Sequence, residues 1–197
     1  MAFQNLLLGI GGFMKFDKEE IKVAVIGLGY VGLPLYIELC KKFNTVGYDL
    51  DMDRIDELLS FFDRTGEVED RLLKIIAKKN LLKISNKKEI LAESNFYIIT
   101  VPTPVDSHNV PDLGQLESAM RDVSSYLKKG DIVVLESTVF PGVTEDICSK
   151  ILEKHSGLKF NEDFFMGYSP ERINPGDKEH HLTKVIKIVS GSNEQSL

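Results

Sequence analysis

No block of lysine or arginine occurs in the 197 residues, and the formal net charge is −6. A chain of this sign does not draw nucleic acid or an anionic membrane surface through its overall field. An anionic ligand therefore needs a local site. Cysteine is almost missing: Cys40 and Cys148 stand alone, with no CxxC spacing. Both fall in stretches of helical pattern, so buried, reduced thiols in a cytoplasmic protein are expected. No apolar run reaches the ~18–20 residues that cross a bilayer. The opening MAFQNLLLGIGGFMKF has no basic head, and Gly9, Gly11 and Gly12 break its apolar stretch, which argues against a signal peptide. Residues 1–20 are expected to form an N-terminal extension. There is no internal repeat and no low-complexity linker. No metal site is expected either: His180 and His181 are adjacent and converge poorly on one ion, and no cluster of cysteines or acids supports them. His108 and His155 have no visible constellation.

What is present suits one domain. The length matches roughly 100–200 residues per domain. Hydrophobic residues make up 43% and charged residues 27%, enough for an ordinary core. Apolar runs alternate with helix-length amphipathic stretches. Strands are expected at 22–26, 45–48, 82–84, 96–101, 132–135, 164–168 and 185–189. Helices are expected at 31–43, 52–59 with Asp51 as N-cap, 71–79, 86–92, 116–127 and 144–153. The order implies an α/β fold of Rossmann type, a doubly wound parallel sheet with helices on both faces.

Gly27-Leu28-Gly29-Tyr30-Val31-Gly32 follows the first strand and opens the first helix. With 15 glycines in the chain, a bare GxGxxG carries little weight, and context decides. Here strand, turn and helix follow in order, and Asp49 ends the second strand. Gly27 suits the tight turn, Gly29 the close approach of a pyrophosphate, and Gly32 the packing of helix on strand. Tyr30 and Val31 lie at the helix N-terminus, which favours phosphate. Asp49 suits a ribose 2′-hydroxyl and would repel a 2′-phosphate, favouring NAD over NADP. Arg54 either lies along the adenosine or is a solvated helix-surface arginine.

The segments GLGYVGLPL (27–35), VPTPVD (101–106), PDL (111–113), ESTVFPGVTE (136–145) and GYSPERINPGDK (167–178) resemble the UDP-glucose/GDP-mannose dehydrogenase family. The resemblance runs in order from about Ile21 to Gly191. The SPERINPGD stretch is similar to the bacterial branch that acts on UDP-N-acetylhexosamines for surface polysaccharide. In the UDP-glucose branch a second acid follows at the position held here by Pro175. UDP-glucose or GDP-mannose oxidation is the alternative, and a stand-alone NAD-binding or interaction module is another, since fold does not fix function.

The resemblance implies a four-electron oxidation of a sugar 6-hydroxymethyl group, with two NAD molecules reduced in turn. It implies cofactor contacts at Val101, Pro102 and Thr103 near the nicotinamide and at Glu136, Ser137 and Thr138, with Thr138 also holding a catalytic water. It implies that Glu171 assists proton transfer and thioester hydrolysis, which a carboxylate of raised pKa suits. An exposed ion pair of Glu171 with Arg172 is the simpler alternative. Arg172 and Asn174 are candidates for the sugar or its phosphate. Residues 21–197 are expected to be the NAD-binding domain. The family's nucleophilic cysteine, central helix and substrate domain are expected beyond residue 197, so the chain alone is expected to bind NAD without turnover. The whole enzyme is expected to be a homodimer.

Overall fold

The computed structural model describes residues 19–105, 107–171 and 187–193. Among these, one sheet carries seven strands: β1 (Lys22–Ile26), β2 (Asn44–Tyr48), β3 (Ile84–Ser85), β4 (Phe96–Ile99), β5 (Ile132–Leu135), β6 (Phe165–Tyr168) and β7 (Ser190–Gly191). Their spatial order is β3-β2-β1-β4-β5-β6-β7. The helices are α1 (Gly32–Cys40), α2 (Met52–Leu59), α3 (Asp70–Lys78), α4 (Gly114–Ser124) and α5 (Ser149–Ser156), with a 3-10 turn at Lys88–Leu91. The chain leaves β1 toward one side and returns through β4 on the other. The crevice between these two directions is where an open α/β sheet takes its ligand.

Strand alternation sorts the core into two layers. Val23, Val25, Phe96, Ile98, Ile132 and Val134 pack with Leu33, Tyr36 and Ile37 of α1, Ile55 and Leu58 of α2, and Leu73 and Ile76 of α3. Ala24, Ile26, Tyr97, Ile99, Val133 and Leu135 pack with Leu116, Met120 and Val123 of α4 and Leu152 of α5. β4 and β5 are buried at every residue, as strands covered on both faces must be. Each such aliphatic side chain contributes about 1.5–3 kcal/mol by leaving water.

Several expectations are corrected. The sheet is not wholly parallel: β7 runs antiparallel to β6, pairing Tyr168 with Ser190. The strand expected at 185–189 is displaced to Ser190–Gly191, with residues 185–186 outside the described set. Pro170, which has no N–H, follows β6 and limits its ladder. The helix expected at 144–153 begins as a π-helical segment, Val143–Cys148, before α5. There the Ser149 hydroxyl donates to the Glu145 carbonyl, a bond that competes with the helical ladder. The first helix ends at Cys40, where the N–H groups of Lys42 and Phe43 both turn back to the Leu39 carbonyl. The strand expected at 82–84 pairs later, through the Lys83 carbonyl, because the Tyr36 hydroxyl holds the Leu81 carbonyl and the Lys83 N–H. Among the described residues no helix is long and apolar enough to cross a membrane.

Candidate dinucleotide and sugar site

The loops at the carboxyl ends of β1, β2, β4, β5 and β6 enclose a cleft of about 790 Å³, within the range of cofactor pockets. Its floor is the glycine turn. Gly27 has φ +92°, and a Cβ there would sit 3.0 Å from the Thr100 carbonyl oxygen. A Cβ on Gly32 would lie 1.8 Å from the Gly27 oxygen and 2.4 Å from Thr100 Oγ1. Gly32 itself does not line the cleft; it is needed for packing behind it. A Cβ on Gly29 meets no protein atom within 4 Å, so the space it faces is the cleft. The three glycines thus have separate physical reasons.

Leu28 is clamped from both sides. Its N–H donates to Asp49 Oδ2 at 2.7 Å, and its carbonyl accepts from Arg54 Nε at 2.8 Å. Asp49 Oδ1 also accepts the Asp51 N–H at 3.0 Å. Each Asp49 oxygen keeps a second lone pair, and the residue borders the cleft. Thr100 ties β4 to the turn by donating to the carbonyls of Ile26 and Gly27 at 2.9 and 2.7 Å.

Arg54 lies against the turn, its Nε donating to the Leu28 carbonyl. It is 3% exposed, which removes the solvated alternative. It borders the cleft, yet its guanidinium is engaged beneath the turn, donating to Asp63 Oδ1 at 2.7 Å. Asp63 in turn accepts N–H groups of Thr65, Glu67 and Val68. Burial pushes the Asp63 carboxyl up, but the hydrogen bonds from Thr65, Val68 and Arg54 outweigh it and hold it below the usual carboxylate range. Asp51 caps α2 by accepting the Arg54 N–H, as its sequence position suggested, and Arg64 reaches it at 2.5 Å.

The opposite wall is built from two loops zipped together. The Glu136 N–H donates to Ile99 O at 2.9 Å. The Ser137 hydroxyl donates to Val101 O at 2.5 Å, and Thr103 Oγ1 to Thr138 O at 2.5 Å. Tyr30, Val31, Val101, Pro102, Thr103, Glu136, Ser137, Thr138 and Glu171 all line the same cleft as Gly27, Gly29, Asp49 and Arg54. Arg172 and Asn174 lie outside the described residues, as do His180 and His181.

Glu136 is 1% exposed, and its Oε2 contacts the ammonium of Lys187. Burial pushes the Glu136 carboxyl up to about 7, against the opposing pull of Lys187. The Lys187 ammonium also lies 3.9 Å from Glu171. Sequence inspection missed Lys187 and Thr100. Lys187 sits in the run VIKIV, where period-two alternation gives an outward residue no mark. Cys40 and Cys148 are free and buried. Burial raises their thiols to about 11 and about 12, so neither is a nucleophile near neutral pH.

A helix N-terminus behind a glycine turn, a carboxylate at the next strand end and a roomy cleft suit a dinucleotide, with Gly29 leaving space for its diphosphate. The family profile described as UDP-glucose/GDP-mannose dehydrogenase family, NAD binding domain, matches residues 21–197. The chain is 51% identical over 177 residues to a UDP-N-acetyl-D-glucosamine 6-dehydrogenase of Pseudomonas aeruginosa, covering 90% of this chain and 41% of that protein. It is 47% identical to Protein CapL of Staphylococcus aureus, covering 89% of this chain and 40% of that protein. Among solved structures, the UDP-D-ManNAc dehydrogenase of Pyrococcus horikoshii superposes with a TM-score of 0.80 at 35% identity, covering 89% of this chain and 42% of that one. The chain therefore spans about two-fifths of the length of the relatives it matches.

Proposed function

The chain belongs to the UDP-glucose/GDP-mannose dehydrogenase family as its NAD-binding domain, and on that premise we propose that it serves an enzyme oxidising a UDP-N-acetylhexosamine to its uronic acid for surface polysaccharide. The observation that carries the proposal is convergence: the glycine turn, Asp49 and the two glutamates Glu136 and Glu171 border one cleft. The relatives of about 50% identity act on UDP-N-acetyl-D-glucosamine by name, which favours this sugar class over UDP-glucose or GDP-mannose.

In this proposal the turn at 27–32 receives the diphosphate and Asp49 the adenosine ribose. Arg54 braces the turn and does not stack on the adenine. NAD, when bound, supplies the hydride acceptor. Val101, Pro102, Thr103 and the 136–138 loop border the nicotinamide end, and Thr138 holds a water. Glu171 takes and returns protons at the sugar C6, a role suited to a half-buried carboxylate. Arg172 and Asn174 are assigned to the sugar or its phosphate. Residues 21–197 form the cofactor domain of a larger homodimeric cytoplasmic enzyme, in which other segments supply the nucleophile.

The test is NADH formation by the complete protein with UDP-N-acetylglucosamine, UDP-N-acetylgalactosamine, UDP-N-acetylmannosamine and UDP-glucose. An N-acetylated sugar is expected to yield two NADH per sugar, with UDP-glucose at least tenfold poorer in kcat/KM. A preference for UDP-glucose, or no NADH from any of the four, would overturn the assignment.

A further inference from the structure

Lysine is a poor choice for a site that is 6% exposed, since its ammonium must be paired to be buried at all. Lys187 meets two carboxylates from two different strand ends: Glu136 after β5 in direct contact, and Glu171 after β6 at 3.9 Å. Both glutamates line the cleft, whereas Lys187 does not. Its charge therefore acts on the cleft through them. Among the described residues, the charges that act on Glu136 are Lys187, which favours its ionised form, and Glu171, which opposes it. Stability alone gives little reason for the arrangement, because a buried ion pair seldom outperforms a well-packed apolar pair of the same volume. Two like charges facing one cleft need a shared cation if both are to be ionised.

We propose that Lys187 is a positioning residue of this site: its ammonium holds Glu136 and Glu171 side by side, so that Glu171 meets the sugar in one orientation. This rests on the role given to Glu171 above. Lys187→Met in the complete protein is expected to leave the Kd for NAD within about threefold. It should lower kcat by at least about tenfold with little change in KM, and move the acidic limb of the kcat profile upward by about one pH unit or more. Lys187→Arg should restore most of the loss. Unchanged kcat and pH profile in Lys187→Met, or a loss of NAD affinity parallel to the loss of rate, would overturn the proposal.

A second readout does not depend on the sugar. With carboxyl-13C glutamate, the resonance removed by Glu136→Gln identifies Glu136, and its titration should move upward in Lys187→Met. No movement sinks the proposal even if the enzyme oxidises the expected sugar. Movement without any sugar oxidation by the unaltered enzyme sinks the functional assignment and the role of Glu171, while the coupling of the charges stands. If Lys187→Met does not fold, the double variant E136Q/K187M removes both charges at once. Its kcat is expected at least about tenfold below that of Glu136→Gln alone, and equal rates would overturn the proposal.

Discussion

Gly29 and Gly32 differ by three residues and by the kind of space they guard. The position a Cβ would take on Gly32 is filled by the Gly27 carbonyl at 1.8 Å, so Gly32→Ala must move backbone. An overpacking cost of about 1–3 kcal/mol is expected. Gly29→Ala meets no protein atom, so it should fold with stability within about 1 kcal/mol of the parent. It should instead weaken NAD binding by at least about tenfold. Thermal unfolding together with a fluorescence titration of NAD separates the two effects. Parental NAD affinity in Gly29→Ala would contradict the placement of the diphosphate.

At the scale of elements, α2 and the loop after it behave as a brace for the glycine turn. Asp63 accepts from five donor groups, in Arg54, Thr65, Glu67 and Val68, with the Thr65 hydroxyl reaching both carboxylate oxygens. Asp63→Ala leaves the buried Arg54 charge with only the longer contact to Glu57 at 3.7 Å, and a loss of about 3–5 kcal/mol is expected in urea unfolding. Because the folded carboxyl titrates below its ordinary value, its contribution is present above the unfolded pKa of about 3.9. It is lost as pH falls through the folded value. The gap between parent and variant should therefore narrow below about pH 4; a gap independent of pH would show that the carboxylate charge is not what matters.

Elements with a strong local pattern were legible in the sequence. Ile132–Leu135 is apolar throughout, and Asp51 marks the start of Met52–Leu59 by a side chain that can only help there. The glycine turn and Asp49 were legible because their spacing is a backbone requirement. The π-helical segment was not, since the bond from the Ser149 hydroxyl to the Glu145 carbonyl that accompanies it leaves no mark in the residue pattern. Arg54 was ambiguous because its partner Asp63 lies in a loop that no periodicity indicates. Lys187 escaped because its meaning exists only once β5, β6 and β7 stand side by side.

For the whole molecule, the cleft joins loops from both halves of the sheet, so a ligand that spans it should stabilise the fold as a unit. NAD at 100 times its Kd is expected to add about 2.7 kcal/mol, equivalent to a rise in Tm of about 5–10 °C for a chain of this size. NADP at the same concentration should give much less if Asp49 receives the ribose as proposed, since a carboxylate there would repel a 2′-phosphate. Equal shifts from the two dinucleotides would remove the role assigned to Asp49.

The described sheet ends on either side in a strand of two residues, β3 and β7. A rim this short offers a passing chain almost no row of amide and carbonyl groups to zip onto. Among the described residues, each margin therefore gives little purchase for lateral growth of the sheet into fibrous aggregates.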